Sequence, residues 1–204
     1  MGGRAGGGAR GGGGGGGMSA TERALAQKYL GDIKNPKLKA ELAAGLAAFD
    51  KEFGILDNVS VTTKDLGEKT FGQIIMGHGK NRIEISSRYE DGRLDMKTAK
   101  HTMIHELTHS IDVTDTQVIG RRKNGRIRWE VKPEFKAHDS KLVGLYHSFK
   151  TNYHSDMGGA RKIGAYALTN KHEFLADAVA SYMTGTKTPH SAAAFNLAKT
   201  MKTK

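Results

Sequence analysis

A group of histidine and acidic residues near the middle of the chain has the spacing of a metal site. Residues 105–109 read His-Glu-Leu-Thr-His, and two imidazoles four residues apart lie on one face of an α-helix. That spacing lets His105 and His109 reach a single Zn²⁺, while Glu106 projects beside the metal as a general base for its bound water. The pattern therefore predicts one zinc ion and metal-assisted hydrolysis of peptide bonds.

The five-position pattern also arises by chance, so its surroundings matter. Ile104 and Leu107 give the same helix apolar positions, and ionisable side chains crowded on a buried face are costly unless they bind something. His101 extends the histidine series, but eight residues of helix rise about 12 Å. One ion cannot bind both His101 and His109, so we expect His101 to lie outside the set of metal ligands.

A catalytic zinc needs a third protein ligand, with water completing the site. The extended pattern with glycine at position 112 and histidine at position 115 is excluded, because Asp112 and Asp115 occupy those positions. The alternative is a carboxylate from a later helix, and Glu173 in the predicted helix 170–184 is the best candidate.

Asp177 follows Glu173 by four residues and shares its helix face. Two like charges there repel each other unless a cation and a histidine N–H separate their roles. We therefore expect Asp177 to orient a ligand imidazole. His172 is a rival ligand, and an amphipathic helix with a solvated acidic face is the alternative to any metal role.

The two motifs together resemble the catalytic domain of the anthrax toxin lethal factor family, whose relatives include the Pro-Pro endopeptidases. The resemblance rests on HELTHSID at residues 105–112 and on YALTNKHEFLADA at residues 166–178. Members of that family pair HExxH with a downstream tyrosine and, seven residues later, a ligand glutamate. The long segment between the motifs departs from the compact members, so cleavage specificity does not carry over.

The resemblance implies a role for each matching residue. His105, His109 and Glu173 would bind zinc, and Glu106 would activate water. Tyr166 would donate its hydroxyl to the oxyanion of the tetrahedral intermediate, which is electrostatic stabilisation of the transition state. The alternative for Tyr166 is an aromatic residue packed in a loop.

Hydrophobic periodicity predicts an α+β protein. With the resemblance, the expected fold is a zincin-like metallopeptidase with a small mixed sheet, an HExxH helix and a C-terminal helical subdomain that carries the third ligand. The predicted helices are 19–30, 36–53, 95–112, 134–150, 170–184 and 189–199, and the predicted strands are 59–62, 71–76, 82–86, 116–120 and 126–131.

One of those strands is expected to bind the substrate. Three strands precede the metal helix, as in zincins, where the edge strand commonly pairs with an extended peptide by β-augmentation. Residues 82–87 are predicted to be that edge, which makes Ile83, Glu84 and Ile85 the expected substrate contacts.

Length and composition set the remaining bounds. The 204 residues suit one domain over residues 18–204, with N-terminal helices over about 19–53. Residues 1–17 are mostly glycine, which predicts a disordered linker or tag. There is no cysteine, so thiolate ligands and disulfides are excluded. No apolar run predicts a membrane span or a Sec signal peptide. Domains of the family that the chain resembles occur in larger toxins and phage-associated proteins, so the resemblance implies a module delivered by another route or associated with a virion.

The net charge of +11 keeps a second class of function open. With the basic cluster at residues 121–128, it would suit a nucleic-acid-binding or virion structural protein that has a zincin fold and no activity. Glu106 and Tyr166 argue against that class, because a structural zinc site needs neither. A zinc hydrolase acting on cell-wall peptide is a third possibility. The favoured expectation is a monomeric toxin, effector or phage-associated endopeptidase that acts on a protein or peptide.

Overall fold

The computed structural model describes residues 17–55, 59–77, 80–123, 126–135 and 140–202. Within these ranges the chain is mixed α+β, as predicted, with six α-helices and five strands. The helices are α1 (Ala20–Tyr29), α2 (Pro36–Phe53), α3 (Ala99–Asp112), α4 (Ser140–His154), α5 (Lys171–Met183) and α6 (Pro189–Lys202). The strands are β1 (Val59–Lys64), β2 (Gly72–Gly77), β3 (Lys80–Ser86), β4 (Val113–Lys123) and β5 (Arg126–Phe135).

Each of the two N-terminal helices begins at a residue whose side chain caps the helix and whose type is typical of such a cap. Ser19 and Glu22 form a capping box, in which each side chain accepts the other residue's backbone N–H. Asn35 accepts the N–H groups of Lys37 and Leu38 at the start of α2. These caps explain why α1 and α2 fall where the sequence predicts them.

Helix α2 supports the central helix α3 through a close approach at Gly45. A Cβ atom built on Gly45 would lie 3.0 Å from the Met103 Cβ and 3.0 Å from the Lys100 carbonyl oxygen. Met103 is fully buried in the core beneath. Glycine at position 45 thus lets α2 pack closely against α3 and support it.

A three-stranded sheet covers α3, with strand order β1-β3-β2. β1 runs parallel to β3, and β2 runs antiparallel to it. The prediction that residues 82–87 form the edge strand is therefore wrong, since β3 is central. Ile83, Glu84 and Ile85 are buried, and a strand paired on both sides offers no free backbone to a substrate.

Glu84 shows why the alternating pattern of β3 was misleading. Its carboxylate is only 3% exposed, and it contacts Lys64, Arg82 and Gln73 at 3.2, 3.0 and 2.6 Å. Burial alone raises the pKa of Glu84, but these partners outweigh burial and hold the pKa below its usual range. A charged residue in the alternation thus lies inside the sheet, paired, and not on a solvated face.

β2 is one of the two edge strands of the sheet, the other being β1, and it also contacts β5. The Ser86 N–H donates to the Phe71 carbonyl at 2.8 Å, and hydrogen-bonded pairs alternate along an antiparallel ladder. The N–H and C=O groups of Gly72, Ile74 and Met76 consequently face away from β3. Within this outward row the Ile74 N–H donates to the Glu106 carboxylate, so the groups of Gly72 and Met76 are the ones left to pair with another strand.

Helix α5 packs against α3 and α6. Asn170 caps it by accepting the N–H groups of His172 and Glu173. Ala176 and Ala180 are fully buried, so small side chains let α5 approach its neighbours closely. The capped start and the alanine-lined contact fix where the acidic residues of α5 lie.

Other boundaries differ from the predictions. The helix predicted over 134–150 begins at Ser140, and residues 134–135 belong to β5. The antiparallel β4–β5 hairpin is longer than predicted, and its strands lengthen at the expense of that helix's start. The Asn124-Gly125 turn, residues 78–79 and residues 1–16 of the predicted linker lie outside the described residues. In the described part of the chain, no helix is long and apolar enough to cross a membrane.

Candidate metal centre

The three residues predicted as metal ligands come together between α3 and α5. The His105 Nε2 lies 3.2 Å from the His109 Nε2 and 3.1 Å from the Glu173 Oε2. The His109 Nε2 lies 3.5 Å from the same Glu173 oxygen. Three potential ligand atoms thus form a nearly equilateral triangle, although their residues are 4 to 68 positions apart.

The size of this triangle fits a tetrahedral zinc site. Zinc binds imidazole nitrogen and carboxylate oxygen at about 2.0–2.1 Å, which places neighbouring tetrahedral ligands about 3.3–3.4 Å apart. The observed separations of 3.1, 3.2 and 3.5 Å bracket that value. Two imidazoles and one carboxylate are a set of three protein ligands that catalytic zinc sites use, with water in the fourth position.

The charge of Glu173 suits a metal ligand. Partial burial raises its pKa, but hydrogen bonds from His105 and His109 outweigh burial and hold the pKa well below the usual range. Glu173 therefore remains a carboxylate, the form that binds a cation. Its place in the first turn of α5 further favours a negative charge.

Asp177 holds the His105 ring in a fixed orientation. The His105 Nδ1 lies 2.8 Å from the Asp177 Oδ1, which is a charge-assisted hydrogen bond. Burial lowers the pKa of His105, but Asp177 and Glu173 outweigh burial and raise it to about 10. With Nδ1–H committed to Asp177, the opposite nitrogen points at His109 and Glu173, as a carboxylate–histidine–metal arrangement requires.

His101 contacts the same carboxylate from the other side. Its Nε2 lies 3.6 Å from the Asp177 Oδ1. His101, His105 and Asp177 form a second group of ligand atoms within reach of one another. The group with His109 and Glu173 is the candidate metal site that the sequence predicts, while Asp177 lies at a hydrogen-bond distance of 2.8 Å from the His105 Nδ1. His172 belongs to neither group among the described residues.

Replacing Asp177 with Asn is expected to weaken zinc binding by about 10- to 100-fold, since the orienting carboxylate of a ligand histidine contributes that much. Competition with a chromogenic chelator measures the affinity, and circular dichroism checks the fold. Asp32→Asn, at an exposed position, is the matched control. Equal zinc affinity in both variants would contradict the orienting role.

Glu106 lies next to the ligand triangle and against the sheet. It is 5% exposed, and its carboxylate accepts the Ile74 backbone N–H on the side of β2 that faces away from β3. Burial is the main cause that raises the pKa of Glu106, and the nearby Glu173 carboxylate adds to it, against the imidazoles of His105 and His109. A raised pKa makes a carboxylate a stronger base toward water.

Two residues of β2 that contact Glu106, Ile74 and Gly72, are not among the site residues predicted from the sequence. A Cβ built on Gly72 would lie 3.0 Å from the Glu106 Oε1 and 2.8 Å from the Thr102 Cγ2. A side chain at position 72 would therefore displace the proposed base or the strand. The only available signal was a glycine inside a predicted strand, which often marks a close approach.

Tyr166 stands at the mouth of the site. Its side chain is 59% exposed, and its ring centre lies 6.0 Å from that of His105. Burial raises the pKa of the Tyr166 hydroxyl, and the Glu173, Glu106 and Asp177 carboxylates add to this, so the hydroxyl keeps its proton and can donate. The 3-10 turn Tyr166–Leu168 is anchored by the Tyr146 hydroxyl, which donates to the Leu168 carbonyl at 2.7 Å.

The remaining predicted functional residues lie elsewhere. Ile83, Glu84 and Ile85 lie inside the sheet, and the side chains of the basic cluster at 121–128 lie outside the described part of the chain. Comparisons of this chain with protein-family models, with curated proteins and with solved structures find no significant match. The function therefore has to be inferred from the chemistry of the site.

Proposed function

We propose that this protein is a zinc-dependent endopeptidase with a zincin-like fold, related to the lethal factor family. The observation that carries the proposal is the triangle of His105, His109 and Glu173 ligand atoms with Glu106 buried beside it. A structural zinc site closes its fourth position and needs no adjacent base. The small mixed sheet over the HExxH helix supports the fold assignment.

The proposed reaction assigns a task to each polar side chain at the site. A bound zinc ion would polarise the attacking water and the scissile carbonyl. Glu106 takes the water proton and passes it to the leaving amine. Asp177 keeps the His105 ring in one orientation, and Tyr166 donates its hydroxyl to the developing oxyanion.

We propose the edge strand β2, in place of the central strand β3, as the strand that pairs with the substrate. The outward N–H and C=O groups of Gly72 and Met76 can pair with an extended peptide. The exposed side chains of Phe71, just before β2, and Ile75, within β2, offer apolar contact at 50% and 38% exposure. β2 also touches Glu106 through Ile74, so a peptide paired to β2 would lie beside the base.

Metal analysis and a peptide library test the proposal on the purified full chain. We expect about one zinc per chain, cleavage of internal peptide bonds, loss of cleavage after chelation and recovery on adding zinc. Tight zinc binding without cleavage of any library member would contradict the endopeptidase proposal and show only that the protein binds metal. Full cleavage by metal-free protein would overturn the mechanism.

Replacing Tyr166 with Phe is expected to lower kcat by about 10²-fold, the low end for one oxyanion donor because the side chain is more than half exposed. The KM should change little, since the ring remains. Steady-state kinetics on a fluorogenic peptide measure both constants. Tyr182→Phe, on α5, is the matched control. A Tyr166→Phe enzyme with unchanged kcat would return Tyr166 to a packing role.

A further inference from the structure

A cavity of about 560 Å³ opens beside the proposed catalytic residues. Its lining includes Glu106, Tyr166, residues of the segment before β2 and residues of the 3-10 turn Met96–Thr98. A large amino-acid side chain needs only part of this space. The cavity can therefore hold a side chain of the substrate together with the next residues of its chain.

The cavity wall offers apolar surface and few free polar groups. Phe71, Tyr89 and Leu94 contribute to it, and the Tyr89 hydroxyl is already bonded to the Thr98 and Thr102 hydroxyls at 2.8 and 2.9 Å. A polar group of the ligand therefore finds its partners elsewhere in the lining.

Two lysines supply the free charge of the lining. Lys69 lies in the segment before β2 and Lys97 in the 3-10 turn, and both are exposed. Neither ammonium group has an ion-pair or hydrogen-bond partner among the described residues. Three acidic residues also belong to the lining. Asp95 caps the 3-10 turn by accepting the Lys97 N–H, Asp177 is turned toward His101 and His105, and the buried Glu106 carboxylate accepts the Ile74 N–H.

We propose that this cavity selects peptides carrying an acidic side chain near the scissile bond, which Lys69 and Lys97 bind. The proposal rests on the proposed function and names its substrate class. Charge complementarity supports it, because the two unpaired cations are the available partners for a charged ligand group. An acidic substrate would also be drawn to a chain of net charge +11.

The position of the acidic residue follows from distances along the chain. From Glu106 back to Lys97 the helical backbone rises about 14 Å, and from Gly72 back to Lys69 three residues span at most about 10 Å. An extended substrate advances about 3.3 Å per residue. The acidic side chain therefore belongs about three to four residues from the bond that is cut.

Peptide binding and cleavage, measured separately, test the proposal. The binding assay uses Glu106→Gln protein, zinc and fluorescent peptides that differ only in carrying Glu, Gln or Lys at each position within four residues of the cleavage site. If the wild type cleaves no peptide, no cleavage site is known, and the same substitutions are placed at successive positions of a fixed 12-residue peptide. Lys69→Glu/Lys97→Glu is the test variant, and Lys34→Glu/Lys37→Glu, at exposed positions of the N-terminal region, makes the same charge change as control.

The expected result is a preference of about three- to tenfold for Glu over Gln at one position, the range for one or two exposed ion pairs. The preference should fall with added salt, disappear in the Lys69/Lys97 variant and persist in the control. Equal affinity for Glu and Gln peptides, or a preference that survives the Lys69/Lys97 change, overturns the proposal. Acid-selective binding without hydrolysis in the wild type would instead sink the proposed function and keep the binding site.

Discussion

A Glu106→Gln variant should lose hydrolysis by about 10²- to 10⁴-fold in kcat, the contribution of a positioned general base, while still binding zinc. The amide has the same shape and its oxygen can still accept the Ile74 N–H that holds Glu106. What it lacks is the ability to take a proton from water. Because Glu106 is buried, we do not expect water from bulk solvent to replace it as the base that takes the proton from the attacking water.

Two measurements separate this prediction from simple misfolding. Zinc content and thermal stability should match the wild type, whereas peptide cleavage should be nearly absent. Glu41→Gln on α2 is the control for replacing a carboxylate away from the site. Cleavage by Glu106→Gln at a rate near that of wild type would remove Glu106 from the reaction and require another base.

A Glu173→Ala variant should bind zinc about 10³-fold more weakly than the wild type, since losing a direct ligand exceeds the 10- to 100-fold effect of a supporting residue. His105 and His109 alone give two ligands, fewer than a catalytic zinc uses. The fold should survive, because Glu173 is near the surface and its helix keeps the Asn170 cap.

Chelator competition gives the zinc affinity, and His172→Ala is the informative comparison. His172 was the rival ligand in the sequence and adjoins Glu173 in α5. A larger loss of affinity for His172→Ala than for Glu173→Ala would transfer the third ligand to the imidazole. Equal loss in both would point to disturbance of the helix start.

The helical part of the site was open to prediction because local chemistry decides it. Asn35 and Asn170 mark helix starts by capping, and the spacing of His105 and His109 places both on one helix face whatever the tertiary fold. The pairing of Glu173 with Asp177 followed from like-charge repulsion on one face. In each case residues within one or two turns determine the outcome.

The sheet could not be predicted to the same depth, since strand order is a tertiary property. Residues 82–86 alternate as an edge strand would, yet β3 is central and Glu84 is buried against Lys64 and Arg82. The contacts of Gly72 and Ile74 with Glu106 join segments more than thirty residues apart. No local sequence pattern indicates which strand will contact which helix.

The contact between α3 and α5 makes the geometry of the candidate metal centre depend on the register of the two helices. Each helix contributes groups one turn apart, His105 and His109 from α3 and Glu173 and Asp177 from α5. A slip of one residue along α5 shifts both carboxylates by about 1.5 Å, far beyond the tolerance of about 0.2 Å for metal ligation. Zinc binding would therefore stabilise one relative placement of the two helices.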